Sequence, residues 1–525
     1  MRRKSLFFII FIFFILILLP ARDDDSWKQS FEKISSIVSI VEQNYFEDID
    51  HEKMAHSSIK GILQMLDPHS YFLDPNLFSR LREEHKGKYS GLGIMIQKQE
   101  DRLVVITPIE GTPAYRLGIQ AGDIISHIKG ESTKSITSWE AVQKLRGPKG
   151  TEVTITIVRE GLEKPFELTI VREEIPLYSV PYSFMLQDDI GYIYIRNFAE
   201  TTTEEFEERM KQLVKQGMKK LILDLRSNGG GTFIQSIELA DEFLPRGHLI
   251  VSIKGRNKYY NREFRAVRKN QFEEIPLVIL LNRGSASAPE IVSGAVKDND
   301  RGLIVGEISW GKGLVQTVFP LTRNAAIALT TAKYYTPSGR SIQRDYASLE
   351  KYLFNREVPE ENREVRYTAR GRKVLGQGGI TPDYEVRFTL RNLTANLRLK
   401  GSFFSYARKF ADKETPLSKK YIFPSERETQ GKNSTDRIVI DRNFSVGSHV
   451  LKDFKAYLRA RKIQFETTEF EEAKEEIKRE LKREIFSFLW GIEEGIRIHR
   501  KNDPVVLKAV EVMAEAEMLI KDNAR

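Results

Sequence analysis

Residues Asn282 to Gln316 read NRGSASAPEIVSGAVKDNDRGLIVGEISWGKGLVQ, and the organisation of the whole chain can be worked out from them. The run Gly284-Ser285-Ala286-Ser287-Ala288 is a turn of small side chains that leaves room for an approaching ligand. Pro289 and Glu290 suit the first turn of a helix, and IVSGAV continues it with small faces. The segment from Gly302 to Gly306 reads as a short buried strand, and a second glycine turn, Gly311-Lys312-Gly313, follows. This order is that of an α/β unit. A serine at a helix start and a lysine held in a glycine turn suggest a nucleophile and a base.

Composition narrows the classes. At 525 residues the chain exceeds one core, so several domains are expected. It carries 82 basic and 73 acidic side chains, a net charge of +9, and no basic stripe with interleaved aromatics, which argues against nucleic acid as a partner. With no cysteine, disulfides, thiolate metal sites and a cysteine nucleophile are excluded. Arg2-Arg3-Lys4 precede the apolar run Leu6 to Leu19, which is short of the roughly 20 residues of a comfortable membrane span. The segment 1–22 therefore reads as an export signal. No A-x-A site follows it, so an uncleaved anchor stays open. Either way the body is expected in the periplasm or on the outer face of the cytoplasmic membrane.

Residues 26–86 carry helical periodicity and read as a packing or dimerisation module, with His69 in a plain turn. From 87 to 172 the pattern becomes short alternating strands with glycine turns. Gly91-Leu92-Gly93 opens a loop whose amides suit a carboxylate, and Ile94-Met95-Ile96 suits pairing with an added peptide strand. Pro113-Ala114 and Ala121-Gly122-Asp123 follow at the spacing of a PDZ domain, which this segment resembles. From 173 to 390 strands and helices alternate, with parallel pairing expected, although 345–376 reads as an irregular loop. Gly229-Gly230-Gly231 closes one strand and opens a helix. No phosphate-loop pattern accompanies it, so an oxyanion site is the functional reading that remains. Residues 391–525 read as amphipathic helices whose charge runs are solvated faces, with His499 on the surface.

A serine hydroxyl needs a base beside it. In the α/β segment the histidine on offer is His248, on a strand; Lys312 is the other choice. Its ordinary pKa of about 10.4 must fall for it to serve, and burial among Ile308, Trp310, Leu314 and Val315 would lower it. Gln316 would orient the amine. Spacing alone leaves a blander account equally open, in which a surface lysine and a helix-capping serine do no chemistry.

Taken together, GSASAPEI, GKGLVQ, LDLRSNGGG, YYTPSGRSIQ, GGITPD and LRGPKGT resemble the carboxyl-terminal processing (tail-specific) peptidases, exported serine proteases that contain a PDZ domain. The resemblance runs from about Asp67 to Val386. It implies a multidomain α/β fold, with a crotonase/ClpP-like core, an inserted PDZ domain and helical N- and C-terminal regions. It assigns Ser287 as nucleophile, Lys312 as general base and Gln316 as the orienting third residue. The amides of Ala288, Gly230 and Gly231 would form the oxyanion hole. Leu92, Gly93 and Ile94 would recognise the substrate's C-terminus or gate the active site, with Arg146 a candidate contact between the PDZ domain and the protease core. Protein tails are the implied partners, with no metal or cofactor, and the helices at both ends are compatible with a homodimer or an adaptor-bound assembly. Two rivals fit less well. A dead-core PDZ scaffold calls for loss of Ser287 or Lys312, and both are present; a trypsin-like PDZ protease requires its motifs in another order.

Overall fold

The strand Leu277–Leu281 (LVILL) is buried at every position, as a strand covered on both faces must be. In the computed structural model it lies inside a six-stranded sheet. The sheet runs Tyr182–Gln187, Ile190–Tyr194, Lys220–Asp224, Leu277–Leu281, Leu303–Gly306, Tyr384–Glu385. Only the first pair is antiparallel; the remaining four pairings are parallel. The structure describes residues 25–268, 272–347, 350, 352, 359–412, 414–415, 417–421 and 444–523. The expected export signal, 1–22, lies outside them. The chain divides into two units, one ending at Met65 and one starting at Leu66.

In the first unit, helices Asp25–Asn44 and His51–Gln64 are described, the second capped by the Asp50 side chain, which accepts from the Lys53 N–H at 2.9 Å. Phe31, Ile34, Ile37 and Ile40 of the first helix are exposed. Among the described residues no helix is long and apolar enough to cross a membrane.

In the second unit, helices Thr202–Lys215, Phe233–Asp241 and Ala288–Asp298 bury Phe206, Met210, Leu239, Ala240 and Val292 in one core with Leu221, Leu223 and Ile279 of the six-stranded sheet. Alternate residues of the same strands, among them Ile222, Val278 and Leu280, pack in a different core with Val505, Val506, Ala509 and Met513 from helices Pro504–Glu511 and Met513–Asn523. The C-terminal helices thus cover a face of the six-stranded sheet. A second sheet, Tyr71–Leu73, Ala326–Tyr335, Leu249–Gly255, Arg262–Arg265, is antiparallel, with Leu314–Pro320 paired to Ala326–Tyr335.

Between the two strands of the ribbon Lys88–Gly91/Glu173–Pro176 a small β-domain is inserted. Its sheet runs Ile94–Gln99, Arg102–Pro108, Ile124–Ile128, Glu152–Val158, Phe166–Val171. Among the described residues Ile94–Gln99 pairs with one strand, so its other side is an edge of this sheet. Alternate residues Val153, Ile155 and Ile157 point into its core. Helix Ser138–Leu145 opens with a capping box between Thr137 and Glu140.

Two expectations need correction. Within 345–376 the described residues contain a hairpin, Val365–Tyr367 with Lys373–Leu375, whose Arg372 reaches Asp300 and Asp383 at 2.5 and 3.0 Å. His499 is mostly buried, not on the surface, and its Nε2 lies 3.2 Å from Glu480 Oε1. Burial pushes the pKa of Glu480 up, but the hydrogen bond from His499 and the charges of Arg483 and Arg398 outweigh it and hold the carboxyl at about 2. Glu480 sits where helices Asn392–Leu399, Lys474–Trp490 and Ile492–Arg500 meet, so part of the C-terminal charge pattern is internal.

Candidate active site

Ser287 joins strand Leu277–Leu281, through a short turn, to helix Ala288–Asp298, and its backbone is strained, with φ +64° and ψ −111°. The surrounding turn enforces this conformation. Asn282 N–H donates to Ser285 Oγ at 3.0 Å, Ser285 Oγ donates to the Leu225 carbonyl at 2.8 Å, and Ala286 N–H donates to the Asn228 carbonyl at 3.0 Å. The Ser287 N–H donates to Glu290 Oε2 at 2.7 Å. A serine lifted on a strained strand-to-helix turn is the geometry of an exposed nucleophile.

Glu290 organises the site. It is fully buried, and Oε2 also accepts the Lys312 N–H at 2.9 Å, while Oε1 accepts from Gly311 N–H and Ser309 Oγ, both at 2.6 Å. One carboxylate therefore fixes the backbone of Ser287 and that of Lys312 on the same oxygen atom. Burial pushes its pKa up against the pull of these four donors. The Tyr334 hydroxyl, donating to the Lys312 carbonyl at 2.7 Å, ties the lysine turn to the antiparallel sheet.

Lys312 Nζ donates to Gln316 Oε1 at 2.8 Å. Burial lowers its pKa below 10.5, and the charges of Glu290 and Asp67 offset part of that fall. Gln316 in turn donates through Nε2 to the carbonyl of His69. Sequence reading missed this contact, because a backbone carbonyl leaves no trace in residue type and His69 precedes Gln316 by 247 residues. The His69 ring packs near the lysine, 2.5 Å from the Tyr352 hydroxyl, and burial first, then Lys312, brings its pKa to about 4. It is neutral near pH 7.

The three residues expected to line an oxyanion hole divide. Among the described residues no acceptor takes the N–H of Ala288 or of Gly231. Gly230 departs from the expectation, because its N–H is donated to Asn228 Oδ1 at 2.9 Å. What Gly230 contributes is space: a Cβ there would stand 2.9 Å from Ser287 Cβ and 3.3 Å from its Oγ.

In the β-domain, Leu92 is buried, Gly93 has φ +77° with Thr112 filling the space where a Cβ would go, and Ile94 starts the edge strand. Leu92, Gly93 and Ile94 thus lie together. The partners of Arg146 among the described residues are Glu83 of helix Pro75–Lys86, paired at 2.8 Å, and Tyr89, over which it stacks at 4.3 Å. That helix packs beside the ribbon Lys88–Gly91/Glu173–Pro176 at the entry to the β-domain, so it lies nearer Arg146 than the six-stranded sheet does.

The Peptidase family S41 profile matches residues 189–348, a PDZ domain profile matches 104–159, and an activating protease CtpB N-terminal domain profile matches 19–76. The carboxy-terminal-processing protease of Bartonella bacilliformis is 38% identical over 354 residues, which covers 65% of this chain and 81% of that protein. The chain belongs to the carboxyl-terminal processing peptidase family. The carboxy-terminal processing protease CtpA of Bacillus subtilis is 31% identical over 356 residues, covering 65% of this chain and 76% of that one. Among solved structures, a photosystem II D1 C-terminal processing protease is 27% identical, covering 70% of this chain and 88% of that one with a TM-score of 0.39. This carboxyl-terminal processing peptidase extends well past residue 348, where the S41 match ends.

Proposed function

We propose that this member of the family is an exported serine endopeptidase that cuts protein tails with a Ser287/Lys312 dyad. The observation that carries the reading is the joint hold of Glu290 on Ser287 and Lys312, with Lys312 Nζ aimed by Gln316. Neutral Lys312 Nζ takes the proton of Ser287 Oγ as the oxygen attacks the scissile carbonyl. The oxyanion that forms is received by the N–H groups of Ala288 and Gly231. The Lys312 ammonium then gives the proton to the departing amine, and water, deprotonated by the neutral Lys312 Nζ, attacks the acyl enzyme, the proton passing back to Ser287 Oγ as the ester bond breaks.

Segment 87–172 selects the substrate's C-terminus or gates access, using the loop Leu92-Gly93-Ile94 and the edge strand. The core 173–390 is of crotonase/ClpP-like type, flanked by helical regions 26–86 and 391–525. The basic, apolar N-terminus supports export, with anchoring as the variant in which the signal is kept, and the exposed apolar face of helix Asp25–Asn44 supports a homodimer or adaptor-bound assembly. No cofactor enters these steps.

The test is cleavage of an unfolded protein bearing an apolar C-terminal tail. Ser287→Ala and Lys312→Ala should be folded and inert, whereas His248→Gln should cleave like the wild type. Substantial activity in Lys312→Ala would place the base elsewhere.

A further inference from the structure

The C-terminal helices touch the active site through a buried cluster of charges. Arg226 directly precedes the glycine loop Ser227–Gly231, and its guanidinium grips Asp224 at 2.6 Å through one terminal nitrogen and Asp503 at 2.9 Å through the other. Asp503 caps helix Pro504–Glu511, accepting the Val505 N–H at 3.0 Å through Oδ1, so that Oδ2 faces Arg226. Arg500 closes the figure, 3.0 Å from Asp503 and 3.9 Å from Asp224, and the Tyr192 hydroxyl donates to Asp224 at 2.6 Å. Asp224 is fully buried, and the side chains of Asp503 and Arg226 are 6% and 12% exposed. Two carboxylates and two guanidiniums balance, which is how such a cluster can be tolerated away from water.

From Arg226 the connection to the nucleophile is short. Ser227, at φ +58°, donates its N–H to Asn282 Oδ1 at 2.7 Å, and the Asn228 carbonyl accepts the Ala286 N–H beside Ser287. Gly231 follows, with φ +148° and its Cα pressed against the Phe198 carbonyl. The position of the Gly231 amide therefore depends on where Arg226 is held, and one of its two carboxylate partners comes from residue 503, far beyond the S41 match.

We infer that Asp503, with Arg500, is a positioning residue for the oxyanion loop, so that the C-terminal helices are a working part of the protease. The inference rests on the reading of Ser287 as nucleophile with Gly231 in its oxyanion hole. It predicts that loosening this contact weakens transition-state binding and leaves substrate binding alone.

The experiment uses the full chain. Asp503→Asn should lower kcat on the tailed protein substrate about 10- to 100-fold, with KM shifted by no more than about twofold. Its affinity for a peptide aldehyde, whose adduct places an oxyanion in the hole, should fall by a similar factor. Asp503→Glu should recover part of both. Tyr384→Phe is the control, because it frees the same helices at Glu515, away from the loop, and should keep kcat at a comparable loss of thermal stability. If Asp503→Asn does not fold, Arg500→Gln, at the residue that reaches Asp503 and Asp224, carries the same test. Unchanged kcat and aldehyde affinity in the folded variant, or an equal kcat loss in Tyr384→Phe, overturn the inference. A wild type that does not cleave or is not labelled at Ser287 by a fluorophosphonate overturns the dyad reading instead.

Discussion

Lys312 acts as a base only because of its surroundings, and pH dependence reads those surroundings directly. Its folded pKa lies below 10.5, so between that folded value and 10.5 the unfolded chain holds the proton more often. Stability therefore rises with pH across this window. The wild type should gain stability relative to Lys312→Met as pH approaches 10.5, as denaturation midpoints at several pH values would show. The same shift puts the rising limb of kcat/KM below 10.5. Gln316→Glu would place a carboxylate on Nζ, favour the ammonium and move that limb to higher pH. Glu290→Gln would turn a donor toward N–H groups that now share an acceptor, leaving buried groups unpaired at about 1–3 kcal/mol each. It should lower kcat and the thermal midpoint together. Ser287, Lys312 and Gln316 could be singled out in the sequence because one continuous stretch carries them and their side chains are chemically distinctive. Glu290 was read only as a first-turn residue, since helix propensity already accounts for it. The His69 carbonyl is a backbone acceptor and the Asn228 side chain takes the backbone N–H of Gly230, and residue type encodes neither pairing.

Among elements, the glycine turn Gly229–Gly231 tests how far local geometry decides activity. At Gly231 a Cβ would stand 1.9 Å from the Phe198 carbonyl oxygen, and the positive φ of +148° is itself hostile to a side chain. Gly231→Ala must therefore break the bridge between Phe198 and Gly231 and carry the free N–H away from Ser287. We expect a folded protein with kcat reduced by about 100-fold or more, the scale of losing one oxyanion donor, set against a near-silent Gly217→Ala, where a Cβ meets open space. At Gly217 the φ of +96° costs about 1 kcal/mol of stability and nothing in kcat. The parallel strands were readable as continuous apolar runs, and the insertion as a switch to period-two alternation between glycine turns. The hairpin Val365–Tyr367/Lys373–Leu375 was not, because its exposed residues lack alternation and Arg372 is anchored by aspartates distant in sequence. The role of the helix Pro504–Glu511 was hidden for the same reason. Its amphipathic pattern announces a buried face but not which sheet receives it.

At the scale of the molecule from Leu66 onward, the C-terminal helices touch the catalytic sheet and the PDZ domain by contacts of different strength. Against the sheet they bury Val505, Val506, Ala509 and Met513. Against the PDZ domain, helix Ser402–Ala411 offers Arg408 and Lys409 to Glu160, in the turn between Glu152–Val158 and Phe166–Val171, and Arg408 also lies against Gly122. Glu160 is half exposed, and Arg408 draws its pKa down. An exposed pair of this kind is worth no more than about 1 kcal/mol and weakens with salt. The ionic contact is therefore expected to open before the apolar one, at the PDZ end. Glu160→Lys should leave the thermal midpoint within about 2 °C of wild type, as expected for a sub-kcal change in a chain this long. It should speed amide hydrogen exchange in the turn 159–162, around Gly122 and at Gln99, where the chain of Gly401 closes on the edge strand. Pairing Glu160→Lys with Arg408→Glu should restore slow exchange, and raising salt in the wild type should reproduce the fast exchange of the single variant. Fast exchange spreading into Leu277–Leu281 would mean that this contact supports the whole fold, and slow exchange in Glu160→Lys would mean that the PDZ domain is held by something else.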